Sequence, residues 1–161
     1  MQGATEQIAE RLAAHGVAFT IHEHVVARTV ADALERLPFS PDAYLKTVAF
    51  RLKAGGWVLA ALRGVDRVDY RGLAAALGVG RRELHQLTSD EVAADLGYPI
   101  GGVGPVPTNE QTRTVFDALA VGRLDTVYCG AGRPDRTLEV GLADLIAACD
   151  GLVAPIAQPL V

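Results

Sequence analysis

The sequence predicts an α+β fold with one central sheet, mixed and barrel-like, surrounded by helices. Three observations carry that prediction. Strand and helix patterns are interspersed along the chain without strict alternation, which disfavours a doubly wound parallel sheet. The stretches 45–52 and 57–62 are apolar strands joined by Lys53-Ala54-Gly55-Gly56, the clearest hairpin in the chain. Half of the 161 residues are hydrophobic and 21% are charged, a globular composition. A chain of this length buries roughly two-thirds of the surface its unfolded form exposes, enough for one self-sufficient domain over residues 1–161.

The elements follow in order. A first helix is expected from about Thr5 to His15, capped by Thr5, with Ile8 and Leu12 on one face and Gly16 after its end. Phe19 and Ile21 alternate with Thr20 and His22 as a short strand. Thr29 caps an expected second helix that stops before Pro38. After the hairpin come helices over about 70–77, closed by Gly78, and about 89–96, closed by Gly97, the latter with a Thr88/Glu91 capping box. Glycines and prolines from Gly97 to Pro107 preclude a helix and define a stiff loop. Strands near 113–117, 124–129 and 136–140 precede a helix at about 142–149 and a last strand at 152–157.

Composition narrows the function. A net charge of −4 argues against a broad nucleic-acid surface, which needs concentrated positive charge, yet leaves room for a small footprint on the end of an RNA strand. Arg28, Lys46, Arg51, Lys53, Arg63, Arg67 and Arg71 make the segment 28–71 locally basic, as a binding face or as an ion-paired, solvated surface. The two cysteines, Cys129 and Cys149, form no disulfide framework, and no basic cluster followed by an apolar run opens the chain. No stretch is apolar for long enough to span a bilayer, so a reducing, cytoplasmic setting without membrane attachment is expected.

The inventory of catalytic motifs is short. His22 and His24 fall on one face of a strand, but no Cys-x-x-Cys or His-Glu-x-x-His pattern supplies further metal ligands, so no metal and no cofactor is expected. The Gly101–Pro105 stretch has neither the third glycine of a dinucleotide fingerprint nor the Gly-Lys-Ser/Thr ending of a Walker loop. Two features remain. Lys46 opens an otherwise apolar strand, where its amine needs solvent or an anionic partner; it reads as a functional cation or as a snorkelling edge lysine. Gly102-Val103-Gly104-Pro105 reads as a pre-organised loop whose backbone N–H groups approach a carbonyl or phosphate oxygen, or as a tight structural turn.

Together, these features resemble the YbaK/EbsC family of editing domains associated with prolyl-tRNA synthetase. The resemblance lies in an ordered series over roughly residues 15 to 157. Phe19–His24 resembles the opening strand, and Tyr44-Leu45-Lys46-Thr47-Val48-Ala49-Phe50 the strand bearing the family's functional lysine. Asp66–Tyr70 leading into Leu73–Gly78 resembles the next helix and its approach, and Gly97–Pro105 the Gly-x-x-Pro loop with its lead-in. Tyr128-Cys129-Gly130-Ala131-Gly132, with Leu138–Val140 and Asp144-Leu145, resembles the closing hairpin and helix.

The resemblance implies a YbaK-like fold and metal-independent hydrolysis of the ester joining a wrong amino acid to the 3′ end of a transfer RNA. The implied substrate is tRNA for proline carrying a small residue such as alanine or cysteine, with prolyl-tRNA synthetase a partner of some family members. Lys46 would anchor the terminal phosphate, ribose or ester carbonyl, and backbone groups of Gly102, Val103 and Gly104, held by Pro105, would fix the carbonyl around a small side chain. Water would be the nucleophile. Where some members carry a serine or histidine, the closing hairpin here reads Cys129-Gly130-Ala131-Gly132. Cys129 is a candidate pocket residue or a buried apolar one, and Gly130 stands beside it; Thr29 and His24 are further candidates, against a helix cap and a surface histidine. The competing reading is a non-catalytic module of the same fold that binds tRNA or a synthetase.

Overall fold

The computed structural model describes residues 3–26, 31 and 40–159; the expected second helix and its cap Thr29 lie outside the described residues. Helix α1 (Ala4–Ala14) buries Ile8 and Leu12 completely, and Gly16 follows with φ +68°. Its N-cap is Gly3 rather than Thr5, whose hydroxyl instead donates to the Ala131 carbonyl at 2.7 Å. That bond ties the helix start to the closing hairpin.

The strands are β1 (Phe19–Glu23), β2 (Tyr44–Leu52), β3 (Trp57–Arg63), β4 (Arg67–Val68), β5 (Leu84–Gln86), β6 (Thr112–Asp117), β7 (Thr126–Gly130), β8 (Arg136–Gly141), β9 (Leu152–Ala154) and β10 (Ala157–Gln158). Among the described residues four more α-helices lie between them: α2 (Tyr70–Leu77), α3 (Ser89–Leu96), α4 (Ala118–Arg123) and α5 (Leu142–Cys149). The main sheet has eight strands in the order β1-β8-β7-β2-β3-β6-β9, with β5 added to β2, and β10 pairs with β4 in a separate ribbon. Strand β2 runs parallel to β7, and β6 runs parallel to both β3 and β9, while the remaining pairs are antiparallel. This is the mixed sheet flanked by helices that the sequence predicts.

Apolar side chains alternate between two cores, as the two-residue strand period requires. Leu59 and Ala61 of β3 join Leu45, Phe116, Leu138 and Leu145 in the first cluster, while Val58, Ala60 and Leu62 join Phe50, Leu73, Val115 and Ile156 in the second. Burial on both faces explains why β3 reads as an unbroken apolar run.

Local chemistry ends the helices as expected. Gly78 and Gly97 close α2 and α3 with φ of +70° and +72°. Thr88 and Glu91 form the reciprocal capping box, each side chain bonded to the other's N–H at 3.2 and 3.0 Å. Two expectations need correction. The segment before β7 contains a short helix, α4, capped by the buried Asp117 through the Ala120 N–H. The last strand is broken at Pro155, which has no N–H for a ladder; β9 extends the main sheet, and β10 joins β4 instead. No helix among the described residues is long and apolar enough to cross a membrane.

Candidate functional site

The site begins with a gap in the sheet. Strand β2 meets β7 only at Tyr44 and Leu45, and β5 only from Phe50 to Leu52, so its edge from 46 to 49 lacks a full strand neighbour on that side. The Ala49 carbonyl, which accepts from the Leu87 N–H at 2.9 Å, points to this side, whereas the Tyr44 carbonyl accepts from the Gly64 N–H on the β3 side. Backbone groups alternate direction along a strand. Thr47, two residues before Ala49, therefore turns its N–H and C=O into the gap.

A cavity of about 250 Å³ fills this gap, walled by Tyr44, Lys46, Thr47, Ala49, Gln86, Leu87, Ser89, Val92, Tyr98, Gly101 and Val103, among others. It is smaller than the span typical of sites for drug-sized ligands, a size suited to a short acyl group. Lys46 and the loop residues Gly101 and Val103 thus face one space. On the other side of β2, a hollow lined by Lys46, Val48, Arg67, Val68, Tyr70, Gln86 and Gln158 shares Lys46, Val48 and Gln86 with it.

Lys46 points to the same face as Val48 and Phe50, and its ammonium donates to the backbone carbonyl of Asp66. Asp66 is fully buried, and its carboxylate takes a bidentate pair of bonds from Arg63 at 2.7 and 2.9 Å. That fork fixes the turn after β3 and, with it, the carbonyl that holds the lysine. Burial lowers the Lys46 pKa from its ordinary value; the Asp66 charge opposes this and Arg67 adds to it. Burial also pushes the neighbouring Tyr44 hydroxyl up to about 12.

The glycine-rich loop is held rigidly. The buried Tyr98 hydroxyl donates to the Val106 carbonyl and Thr114 to the Pro105 carbonyl, both at 2.6 Å. The Gly132 N–H donates to the Gly102 carbonyl at 2.8 Å. The glycines have a packing reason: a Cβ on Gly102 would lie 2.7 Å from the Arg133 nitrogen, and one on Gly104 2.2 Å from the Gly130 oxygen. Gly102 is expected to offer its amide to a ligand, but that N–H already donates to the Pro99 carbonyl at 2.8 Å. Gly102, Gly104 and Pro105 do not line the cavity, and of the four loop residues only Val103 does.

The remaining candidates lie elsewhere. Cys129 is fully buried in the first core cluster, its thiol pKa raised by burial, and it does not line the cavity. Gly130 instead packs against Val103, as close backbone contact requires. His24 sits just past β1, with Nε2 2.7 Å from the Thr137 hydroxyl, away from the cavity wall. Thr29 lies outside the described residues. Among the described residues no group of three or more His, Cys, Asp or Glu side chains could hold a metal ion. Part of the basic segment is paired internally, Arg63 with Asp66 and Arg51 with Glu91.

Thr47, Tyr44, Gln86, Ser89 and Tyr98 are cavity residues that sequence reasoning does not single out. A signal exists for one of them. Thr47 is a hydroxyl on a strand face whose neighbours two residues away are the buried Leu45 and Ala49.

The sequence profile described as "Aminoacyl-tRNA editing domain" matches residues 24–148. The chain belongs to that family. Over 90 residues it is 33% identical to the proline–tRNA ligase of Kosmotoga olearia, a match covering 56% of this chain and 15% of the ligase. A hypothetical protein of known crystal structure superposes with a TM-score of 0.83 at 27% identity, over 94% of this chain and 99% of that one. A candidate trans-editing enzyme for prolyl tRNA synthetase has the same fold, with a TM-score of 0.81, 22% identity and 99% coverage of both chains.

Proposed function

We propose that this chain is a trans-acting aminoacyl-tRNA deacylase. It hydrolyses the ester that joins a small wrong amino acid, such as alanine or cysteine, to the 3′ end of tRNA for proline. The observation that carries the reading is that Lys46, Gly101 and Val103 line one cavity of about 250 Å³, with Lys46 also lining the adjoining hollow. Family membership supports it. So does the 33% identity to part of a proline–tRNA ligase, a relative of which this chain matches 15%.

The chemistry asks little beyond positioning, because an aminoacyl ester is already activated. The acyl group enters the cavity, and the terminal ribose and phosphate lie in the adjoining hollow, where Lys46 and Arg67 supply positive charge. Water attacks the ester carbonyl, the bond from the acyl carbon to the ribose oxygen breaks, and the products are a free amino acid and a free ribose hydroxyl. Lys46 stabilises charge that develops on the ester or the leaving ribose oxygen. The rigid Val103 loop limits the length of acyl chain admitted. A size-limited second site is useful because one methylene distinguishes substrates by only about 10- to 200-fold.

The test is a panel of tRNA for proline charged with alanine, cysteine, serine, threonine and proline, with wild type and Lys46→Ala. Wild type should release at least one small wrong residue and spare prolyl-tRNA. The variant should keep its thermal stability and lose release. A wild type that binds tRNA but releases nothing from the panel would make the chain a binding module.

A further inference from the structure

Among the described residues, one buried polar side-chain atom has no hydrogen-bond partner: the Thr47 hydroxyl oxygen. Leaving a buried hydroxyl unpaired is unfavourable, since it gives up hydrogen bonds to water and gains none. Such an atom is uncommon in a native fold and asks for an explanation. Its position suggests one. Thr47 lines the cavity, on the strand face it shares with Leu45 and Ala49.

The rest of that wall is mixed, with polar groups from Tyr44, Lys46, Gln86 and Ser89 beside apolar ones. Leu87, Val92 and Tyr98 belong to the first core cluster and Val103 packs against it, and the Tyr98 hydroxyl is already taken by the Val106 carbonyl. Thr47 as a residue is only partly buried while its hydroxyl oxygen is sealed. A χ1 step between staggered wells exchanges the positions of the branches on Cβ, which is the movement that pairing with a group in the cavity would require.

We propose that Thr47 is the specificity-determining residue of the acyl cavity, its hydroxyl pairing with a hydroxyl on the amino-acid side chain bound there. This rests on the deacylase reading and revises the side chain named there: a small hydroxyl-bearing acyl group, seryl in preference to alanyl. A hydroxyl is the fitting partner because it both donates and accepts, as Thr47 does. The α-ammonium, common to every aminoacyl ester, has another acceptor in the Thr47 carbonyl at the open strand edge. A site built to bond a hydroxyl disfavours the analogue without it, because its own polar group stays unpaired.

The experiment compares wild type with Thr47→Val and Thr47→Ser. Release rates (kcat/KM) are measured on tRNA for proline charged with serine or with alanine, beside the Tm of each free protein. Wild type should prefer the seryl ester. Thr47→Val should lose about 2- to 13-fold on the seryl ester, the equivalent of one hydrogen bond between neutral groups, and little on the alanyl ester, while Thr47→Ser keeps the preference. Because valine replaces an unpaired hydroxyl with a methyl group, its Tm should rise by about 2–4 °C. Equal losses on both esters, no loss on either, or a lowered Tm would each overturn the assignment.

If wild type releases neither ester, Thr47 is judged by binding alone, and the deacylase reading itself fails only if the cysteinyl and threonyl esters are spared as well. The probes are then 3′-amide analogues of seryl- and alanyl-adenosine, which cannot be hydrolysed. Thr47→Val weakening only the seryl analogue keeps the assignment; equal affinities for both analogues in wild type end it.

Discussion

A single methyl group at Gly130 should impair the site from outside the cavity. A Cβ built there would lie 1.8 Å from the Val103 oxygen and 2.5 Å from its carbonyl carbon, both backbone atoms. Contacts below 3.0 Å are essentially never seen for real Cβ atoms, so hairpin and loop would have to separate by roughly 1 Å. The loop has little freedom to yield, because the Gly132 N–H, Thr114 and Tyr98 hold it on three sides. Overpacking of this kind costs about 1–3 kcal/mol. For a domain of this size that is a Tm lowered by roughly 2–12 °C. Val103 would shift with the loop, so Gly130→Ala should also lower deacylation at temperatures where the protein remains folded. Gly122→Ala is the control: its Cβ meets nothing within 4 Å, and it sits on an exposed turn of α4. There alanine should be neutral or stabilise by about 1 kcal/mol. Thermal melts and release assays on both variants decide the matter. A Gly130→Ala protein with unchanged Tm and full activity would refute the packing argument.

Other perturbations follow from the same geometry. Asp66→Asn removes the buried carboxylate that holds the partly exposed Arg63, which should cost about 1–3 kcal/mol in urea unfolding; an unchanged stability would contradict the clamp. Tyr98→Phe leaves the Val106 carbonyl unpaired and should cost about 1–3 kcal/mol, read as a lowered denaturation midpoint. The lowered Lys46 pKa predicts a pH limb: release that needs the ammonium is complete below that pKa and falls as pH rises through it, with a midpoint below 10.5. Arg67→Gln removes a charge that opposes the ammonium, so the limb, measured after subtracting spontaneous ester hydrolysis, should move to higher pH. A limb that stays in place would show that Lys46 is not the titrating group.

Much of the fold is legible in the sequence because local chemistry and tertiary structure agree. Gly78, Gly97 and the Thr88/Glu91 box mark helix ends at residues the structure also assigns. The misses have identifiable causes. Thr5 has the chemistry of a cap, but the Ala131 carbonyl claims its hydroxyl, a long-range contact that no local pattern encodes. Helix α4 is six residues long, too short for apolar periodicity to reveal. At the site, Lys46 stands out because a cation interrupts an apolar strand, and Val103 because of the glycines and proline around it. Those glycines are needed for packing against Gly130 to Arg133, a requirement set by the approach of two distant segments. Thr47 and the buried Arg63–Asp66 pair are harder to read, because their meaning depends on burial and on which partners are absent or present.

The central claim is that the aminoacyl group occupies the cavity at the split edge of β2. Titrating isotopically labelled protein with a non-hydrolysable 3′-aminoacylamide of adenosine, followed by amide and lysine Nζ resonances, tests it most directly. The account predicts shifts concentrated at Lys46, Thr47, Gly101 and Val103, with Arg67 affected on the nucleoside side. Shifts confined to the separate groove lined by Arg11, Asn109, Arg113 and Asp150, with the β2 edge unmoved, would contradict it.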